Sequence, residues 1–303
     1  MFRALVALRR TGYRMRLLPS RRADVPVIVI GNLIVGGSGK TPLVLWVAEF
    51  LKAQGFTPGI VSRGYGGNVG TPREATIASE PFEVGDEPIV LARRSGCTVW
   101  VGSDRVRAAA SLRGQHPEVD VLIFDDGLQH YRMRRDIEIA VVDARGFGNG
   151  FMLPAGPLRE PPGRLRSVDA VVAHGTKAVP GFAMRLVSAP LYCLADARDR
   201  RPASAFADKR VHAVAGIGDP NRFFLQLAKL GIKVMPHAFP DHHPLRPAEI
   251  DFADGVPVVM TEKDAVKCRR FAQPHYFVLP VNAELDPAFG AWLLERLGGR
   301  KAA

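Results

Sequence analysis

The loop Gly36-Gly37-Ser38-Gly39-Lys40-Thr41 lies between a short apolar run, Val25 to Ile30, and a helical pattern from Pro42 to Gln54. No other segment constrains the fold as much. The run Val-Pro-Val-Ile-Val-Ile suits a strand buried on both faces, with Pro26 near its start. Leu43, Val47, Phe50 and Leu51 fall on one helical face, and Gly55 ends the helix. Glycines let backbone N–H groups curl around phosphate oxygens, and the helix N-terminus adds a favourable dipole. Lys40 can neutralise a transferred phosphate, and the Thr41 hydroxyl suits Mg²⁺. The strict pattern G-x-x-x-x-G-K-[ST] wants glycine at position 34, where the chain has Ile34, so the match is to the variant G-G-x-G-K-T. Gly36, Gly37, Ser38, Gly39, Lys40 and Thr41 are therefore expected to bind a nucleotide. The alternative is a turn with a purely structural role.

Strand and helix patterns alternate along the chain. Strands are expected at Gly59–Ser62, Thr98–Val101, Val119–Phe124, Ile137–Val142 and Ala170–Ala173, with helices at Glu87–Arg94 and Asp104–Leu112 between them. This alternation predicts an α/β fold with a doubly wound, mostly parallel sheet. Residues 196–206 are polar and read as a linker. The pattern then restarts with strands at Val211–Gly216, Lys233–Ala238, Pro257–Met260 and Tyr276–Val281, and helices at Asn221–Leu230 and Pro287–Leu297. The expected organisation is a basic N-terminal helix (1–22), a P-loop nucleotide-binding domain (23–195), the linker, and a smaller α/β domain (207–303).

A phosphate loop needs an acid at the end of a neighbouring strand to organise Mg²⁺. Asp125 and Asp126 end the strand Val119–Phe124, at the edge where ligands sit in open α/β sheets. Adjacent acids on a strand point different ways, so one can serve the metal and the other something else. Gln129 and His130 follow at once. Asp86 precedes a helix and, on spacing alone, reads as its N-cap. Asp241-His242-His243 lacks the i, i+4 spacing of a zinc pair, so a proton-handling role fits it better than a metal. Thr261-Glu262-Lys263-Asp264 opens a helix as a capping sequence, or brings Lys263 to the cleft. The Pro/Gly loop Leu153 to Glu160 carries Arg159 and Glu160, which can meet an anionic substrate.

The net charge of +11 is concentrated. Residues 1–22 hold seven arginines and no acid, leaving 34 basic and 30 acidic side chains for the rest. That distribution argues against a nucleic-acid footprint over the whole surface. Phe2, Leu5, Val6, Leu8, Tyr13, Met15, Leu17 and Leu18 alternate with those arginines. Such an arm can lie in an anionic membrane interface, or pack on the domain as a basic first helix. Its longest early apolar run is too short for a cleaved signal. No run of 18 apolar residues exists, which excludes a polytopic helical membrane protein. With 47% hydrophobic residues the chain can build a sizeable core without disulfides, and Cys97, Cys193 and Cys268 match no zinc or redox motif. A reducing compartment is expected.

Taken together, the motifs resemble the tetraacyldisaccharide 4′-kinase family, the lipid A 4′-kinases. The matching segments are Gly31-Asn32 with Gly36 to Pro42, Ser62-Arg63-Gly64-Tyr65-Gly66, Val84 to Pro88, Asp125 to His130, Leu153 to Glu160, Ala215 to Gly218, Phe239 to His243 and Thr261 to Lys267, in family order. One departure is Asp219, where asparagine is expected. The resemblance implies ATP-dependent phosphorylation of the 4′-hydroxyl of a tetraacylated glucosamine disaccharide 1-phosphate. It places the enzyme on the cytoplasmic face of the bacterial inner membrane, held peripherally or monotopically through the arm, with Mg²⁺ and no nucleic-acid partner. It also implies two α/β/α domains with a cleft between them. Asp86 becomes the catalytic base, paired with His242 or His243. Thr41, Asp125 and Asp126 become the metal set, and Gln129, His130, Arg159 and Glu160 surround metal and substrate.

The main rival is a P-loop switch ATPase of the partitioning or targeting type acting at a membrane. Those proteins usually carry an extra lysine before the double glycine, where this chain has Val35. A nucleic-acid-dependent ATPase is weakened by the charge distribution, and a kinase without membrane contact by the arm.

Overall fold

The computed structural model of the chain describes residues 2–176 and 179–298. Met1, the Phe2 side chain and residues 299–303 of the expected C-terminal domain lie outside the described residues.

Helix α1 (Phe2–Arg14) leads to β1 (Val27–Asn32), α2 (Lys40–Ala53), β2 (Pro58–Ser62), β3 (Arg73–Ala75), α3 (Pro81–Val84) and α4 (Asp86–Ser95). There follow β4 (Thr98–Val101), α5 (Arg105–Gln115), β5 (Val121–Asp125), β6 (Ile137–Val142), β7 (Ala170–His174) and β8 (Phe182–Ser188). Then come β9 (Leu191–Cys193), β10 (Arg200–Arg201), β11 (Arg210–Ala215), α6 (Pro220–Lys229), β12 (Lys233–Ala238) and α7 (Pro247–Ile250). The chain closes with β13 (Val258–Thr261), α8 (Glu262–Cys268), β14 (Tyr276–Leu279), β15 (Val281–Leu285) and α9 (Pro287–Arg296).

One sheet runs β15-β8-β7-β6-β1-β5-β2-β4-β3, the other β10-β9-β14-β13-β11-β12. In the first, every neighbouring pair from β8 to β4 is parallel, with β3 and β15 as antiparallel edges. β1, β2, β5 and β6 are buried along their whole length, as their mostly apolar sequences require; Glu138 inside β6 is buried too. The chain winds from β1 out to β2 and β4, returns to β5, then builds β6, β7 and β8 on the other side. The reversal falls at the carboxyl ends of β1 and β5, where an open α/β sheet accepts ligands.

The domain boundaries differ from the expected ones. β9, inside the expected first domain, pairs with β14 of the second sheet. The expected linker 196–206 contains β10, an edge strand on β9, and a 3₁₀ turn at Ala203–Phe206. Its polar composition is that of a charged sheet edge, with Arg200 and Arg201 exposed. β15 and α9 return to the first sheet: Val281 to Leu285 pair with Ser188 to Met184. Phe289 is fully buried against Trp46 and Phe182, at ring distances of 5.4 and 5.2 Å. Both passages between the sheets therefore run through the β8–β15 ribbon.

The basic arm forms a helix over Phe2–Arg14 only; residues 15–22, expected to belong to it, are turn and extended chain. Tyr13 stacks on Tyr131 at 5.8 Å, while Leu5, Leu8, Met15 and Leu17 are exposed.

Candidate active site

The loop after β1 is held open from within by Asn32 and from outside by Arg145. Asn32 Nδ2 donates to Ser38 Oγ at 2.8 Å, and the Arg145 guanidinium, paired with buried Asp143, donates to the Gly37 carbonyl at 2.7 Å. Gly39 has φ +84°, and a Cβ there would stand 3.2 Å from Met184 Cε. Glycine is therefore favoured by the left-handed backbone, with Met184 close enough to crowd any side chain. Lys40 is the first residue of α2 and nearly buried, with Nζ 3.5 Å from Asp126 Oδ1.

Asp125 and Asp126 do part company. Asp126 is gripped by Arg159 at 2.8 and 3.0 Å. Burial pushes its carboxyl up, but Lys40, Arg159 and Arg105 outweigh that and pull it to about 2. Asp125 is fully buried and accepts from Ser62 Oγ at 3.1 Å, while its Oδ1 has no hydrogen-bond partner. Burial, then the charges of Glu87 and Asp126, push its carboxyl up to about 7. The Thr41 hydroxyl donates to Glu87, which also pairs with Lys263 Nζ at 3.3 Å.

Asp86 is the first residue of α4, preceded by Gly85 at the N-cap position. It is not the cap that spacing suggests. Its Oδ1 accepts from the Glu87 N–H, while the buried Oδ2 faces His242 Nδ1 at 3.2 Å and Lys267 Nζ at 3.7 Å. Neither donor lies on the line of a formed hydrogen bond to that oxygen. Burial raises the Asp86 carboxyl, but His242, Lys263 and Lys267 outweigh it and hold it below the usual carboxylate value. Contact with Asp86 in turn lifts His242 above the usual histidine value.

The choice between the two histidines is resolved by backbone geometry. His242 has φ +61°, a left-handed turn that aims it across the cleft. His243 is not brought to Asp86. It bonds Glu249 Oε1 at 2.9 Å and stacks on Phe239, so the catalytic expectation for it is corrected.

The remaining expected residues cluster behind Asp126. Gln129 Nε2 donates to the Asn32 carbonyl at 3.1 Å. His130 has a buried, unpartnered Nε2, and burial with the charges of Arg105 and Arg135 pulls it to about 4, so it is neutral. Glu160 is buried, takes the Tyr131 hydroxyl and pairs with Arg164 at 3.5 Å. Its carboxylate is engaged below the surface, which corrects the expectation of direct substrate contact.

Glu87, Ser62 and Arg105 were not singled out from sequence, although Glu87 stands beside Asp86 in the same motif. Arg105 is buried and donates to the Asp126 carbonyl at 2.7 Å. Gly66 has φ +84°, and a Cβ there would come within 2.8 Å of His242 Nδ1. Gly66→Ala is expected to displace that ring and cost up to about 10²-fold in kcat, since misplacement near 1 Å has that scale. Steady-state kinetics beside a thermal melt would check it.

A glycine loop at a switch point, facing an ionised acid that phosphate binding does not need, marks a phosphoryl-transferring enzyme. A nucleotide switch has no use for a buried acid of the first sheet that meets a histidine of the second, as Asp86 meets His242. Comparison with known proteins narrows the class. A family model described as Tetraacyldisaccharide-1-P 4′-kinase matches residues 1–298. The chain belongs to that family and is an ATP-dependent 4′-kinase of lipid A biosynthesis.

The tetraacyldisaccharide 4′-kinase of Azoarcus sp. (strain BH72) is 52% identical over 307 residues, covering 98% of this chain and 89% of its own. That of Pseudomonas aeruginosa (strain LESB58) is 46% identical over 302 residues, covering 98% and 90%. The crystal structure of apo-form LpxK from Aquifex aeolicus in complex with ATP matches with TM-score 0.83 at 28% identity, covering 98% of this chain and 96% of that one.

Proposed function

We propose that in this kinase Asp86 takes the proton of the sugar 4′-hydroxyl as that oxygen attacks the γ-phosphorus of ATP in line. The acceptor is a tetraacylated glucosamine disaccharide 1-phosphate. The observation carrying this reading is Asp86 Oδ2: buried, on a carboxylate held ionised, 3.2 Å from His242 Nδ1 and making no well-aligned hydrogen bond. Such an oxygen has unspent capacity for a hydroxyl proton, and catalytic hydrogen bonds often form only in the substrate complex. His242 orients the carboxylate and balances its charge. Lys40 and the loop N–H groups from Gly36 to Thr41 hold the phosphates. Gln129, His130 and Arg159 take the sugar side, and Glu160 supports them through Tyr131 and Arg164.

Thr41 and Asp125 suit a magnesium ion. The unpartnered Oδ1 of a carboxyl crowded by Glu87 and Asp126 is a place a dication would relieve. Among the described residues no three His, Cys, Asp or Glu side chains form a ready metal cage. Mg²⁺ asks for none, because it is held by one or two carboxylates plus waters and phosphate oxygens. When bound there it supplies charge neutralisation to the β- and γ-phosphate oxygens.

The arm serves the membrane, at the cytoplasmic face of the inner membrane. Leu5 and Leu8 are 56% and 72% exposed on a helix that carries Arg3, Arg9 and Arg14 and no acid. Among the described residues no helix is long and apolar enough to cross a bilayer, so a helix lying in the interface is the geometry that uses these residues. Leu5→Ser with Leu8→Ser is expected to weaken co-sedimentation with anionic vesicles by at least about tenfold, given roughly 1.5–3 kcal/mol per buried leucine. Unchanged sedimentation would remove the membrane role of the helix.

The function is tested with γ-labelled ATP, Mg²⁺ and the disaccharide 1-phosphate in mixed micelles. Label entering the lipid with native enzyme but not with Lys40→Ala supports transfer at this loop. ATP hydrolysis without labelled lipid would overturn it.

A further inference from the structure

Helix α4 carries Asp86 and Glu87 in its first turn and Arg94 in its last. α8, which belongs to the other sheet, lies across it. Adjacent residues of α8 reach opposite ends of α4. Arg94 Nη1 donates to both Glu262 oxygens at 2.8 and 2.9 Å, and Lys263 Nζ stands 3.3 Å from Glu87 Oε1. Arg94 Nη2 also donates to Asn282 Oδ1 at 2.5 Å, and Glu262 Oε2 accepts from the Val281 N–H at 3.4 Å. The pair is thus tied into β15, one strand of the ribbon that joins the two sheets. Further along α8, Lys267 is held by Asp264 at 3.0 Å and faces Asp86 at 3.7 Å.

Glu87 and Arg94 lie seven positions apart on the helix, about 10 Å at 1.5 Å per residue. A helix held at one end can still swivel; one held at two points that far apart cannot. The Arg94 and Glu262 side chains are only 22% and 16% exposed, so their contact is shielded more than a surface pair. Its charge-assisted hydrogen bonds are of the stronger kind.

We propose that Glu262 and Lys263 are positioning residues for phosphoryl transfer, gripping Arg94 and Glu87 so that α4 presents Asp86 to His242 and Glu87 to Thr41. This rests on the reading of Asp86 as the base. The grip puts three partners of the chemistry under the control of one short helix from the opposite sheet. A shift of α8 against α4 would part Asp86 from His242 and loosen the Glu87–Thr41 bond together.

The test uses the full chain with Arg94→Glu, Glu262→Arg, the double swap, and the milder Arg94→Lys. Each single reversal is expected to lower kcat by about 10²-fold while equilibrium ATP binding changes less than about twofold, in line with the cost of small misplacements. The double swap is expected to recover kcat to within about tenfold of native, since the pair is rebuilt with opposite polarity. Arg94→Lys is expected to fall between, because an ammonium cannot hold Glu262 and Asn282 in one planar fork.

Single reversals with native kcat overturn the proposal. So does a double swap that melts like the native protein yet stays as slow as the singles. Should the single reversals fail to fold, Arg94→Lys and Lys263→Met decide it, with native kcat in both counting against. Asp86→Asn run in parallel separates the two claims. If it is inactive while the clamp variants are active, only the clamp fails; if it turns over normally, the base reading fails and takes the clamp's purpose with it.

Discussion

Asp86→Asn is expected to lower kcat by about 10²–10⁴-fold, the range for a positioned general base, and to leave ATP affinity within about twofold. Asparagine keeps the shape and the contact with the Glu87 N–H but cannot accept a proton at the position of Oδ2. The polar partners of Asp86 are the Glu87 N–H, His242 and Lys267, not Lys40 or Thr41, so the glycine loop has no reason to respond directly. The carboxyl is held below its usual value by His242, Lys263 and Lys267, which makes it a weak base. That is compatible with its task. The phosphoryl-transfer transition state is loose, and little proton transfer precedes attack, so orientation matters more than basicity. Parallel measurements of kcat and of equilibrium ATP binding distinguish the cases. A large loss of ATP binding would show that Asp86 supports the loop and would remove the base role. The family match would stand, and the proton acceptor would have to be sought elsewhere.

What could be read in the chain ahead of its structure followed from local chemistry. The strand before the loop, the loop itself and α2 lie where Val25 to Gln54 put them, because an unbroken apolar run and a glycine cluster have few other uses. Thr98–Val101, Ile137–Val142 and Lys233–Ala238 agree with the observed strands residue for residue. The misses are non-local. β8 alternates between half-buried and exposed residues, and its antiparallel partner lies nearly a hundred residues on, where Val281 meets Ser188. Nothing short-range in either segment announces that pairing. The C-terminal helix was foreseen as a helix but assigned to the wrong sheet, because its burial depends on Trp46 and Phe182 from far upstream.

The site divides the same way. The acids at the end of β5 were legible from position alone, but their divergence is not strand alternation: Asp126 lies just past the strand in a left-handed turn, at φ +50°. The role of Asp86 came from family resemblance, since spacing alone favours a cap. His242 could not be told from His243, because the difference is one left-handed backbone angle. Glu87 and Lys263 are 176 positions apart, and their pairing is a property of how two sheets meet, which no window on the sequence contains.

Lys40→Ala is expected to have the largest effect, lowering kcat by about 10³-fold or more, at the upper end for loss of one preorganised group facing developing charge. Lys40 is 9% exposed and stands among Asp126, Glu87 and Asp125. Those carboxylates tolerate one another partly because the ammonium is there. Without it Asp126 relies on Arg159 and Arg105 as counter-charges. Asp125, already pushed up to about 7, loses an opposing charge and shifts further toward the protonated form, which is the wrong state for a magnesium ligand. The substitution therefore removes a phosphate contact and disturbs the acid beside it. Unlike Asp86→Asn, it should weaken ATP binding as well as turnover. Lys40→Arg should not rescue, since a planar guanidinium does not reproduce the compact point charge of the ammonium. An alanine variant with native ATP affinity and depressed kcat would mean that Lys40 acts only on the transferring phosphate. One with native kcat would mean that the phosphates are held by backbone N–H groups alone, and the loop's glycines would then carry the catalytic argument.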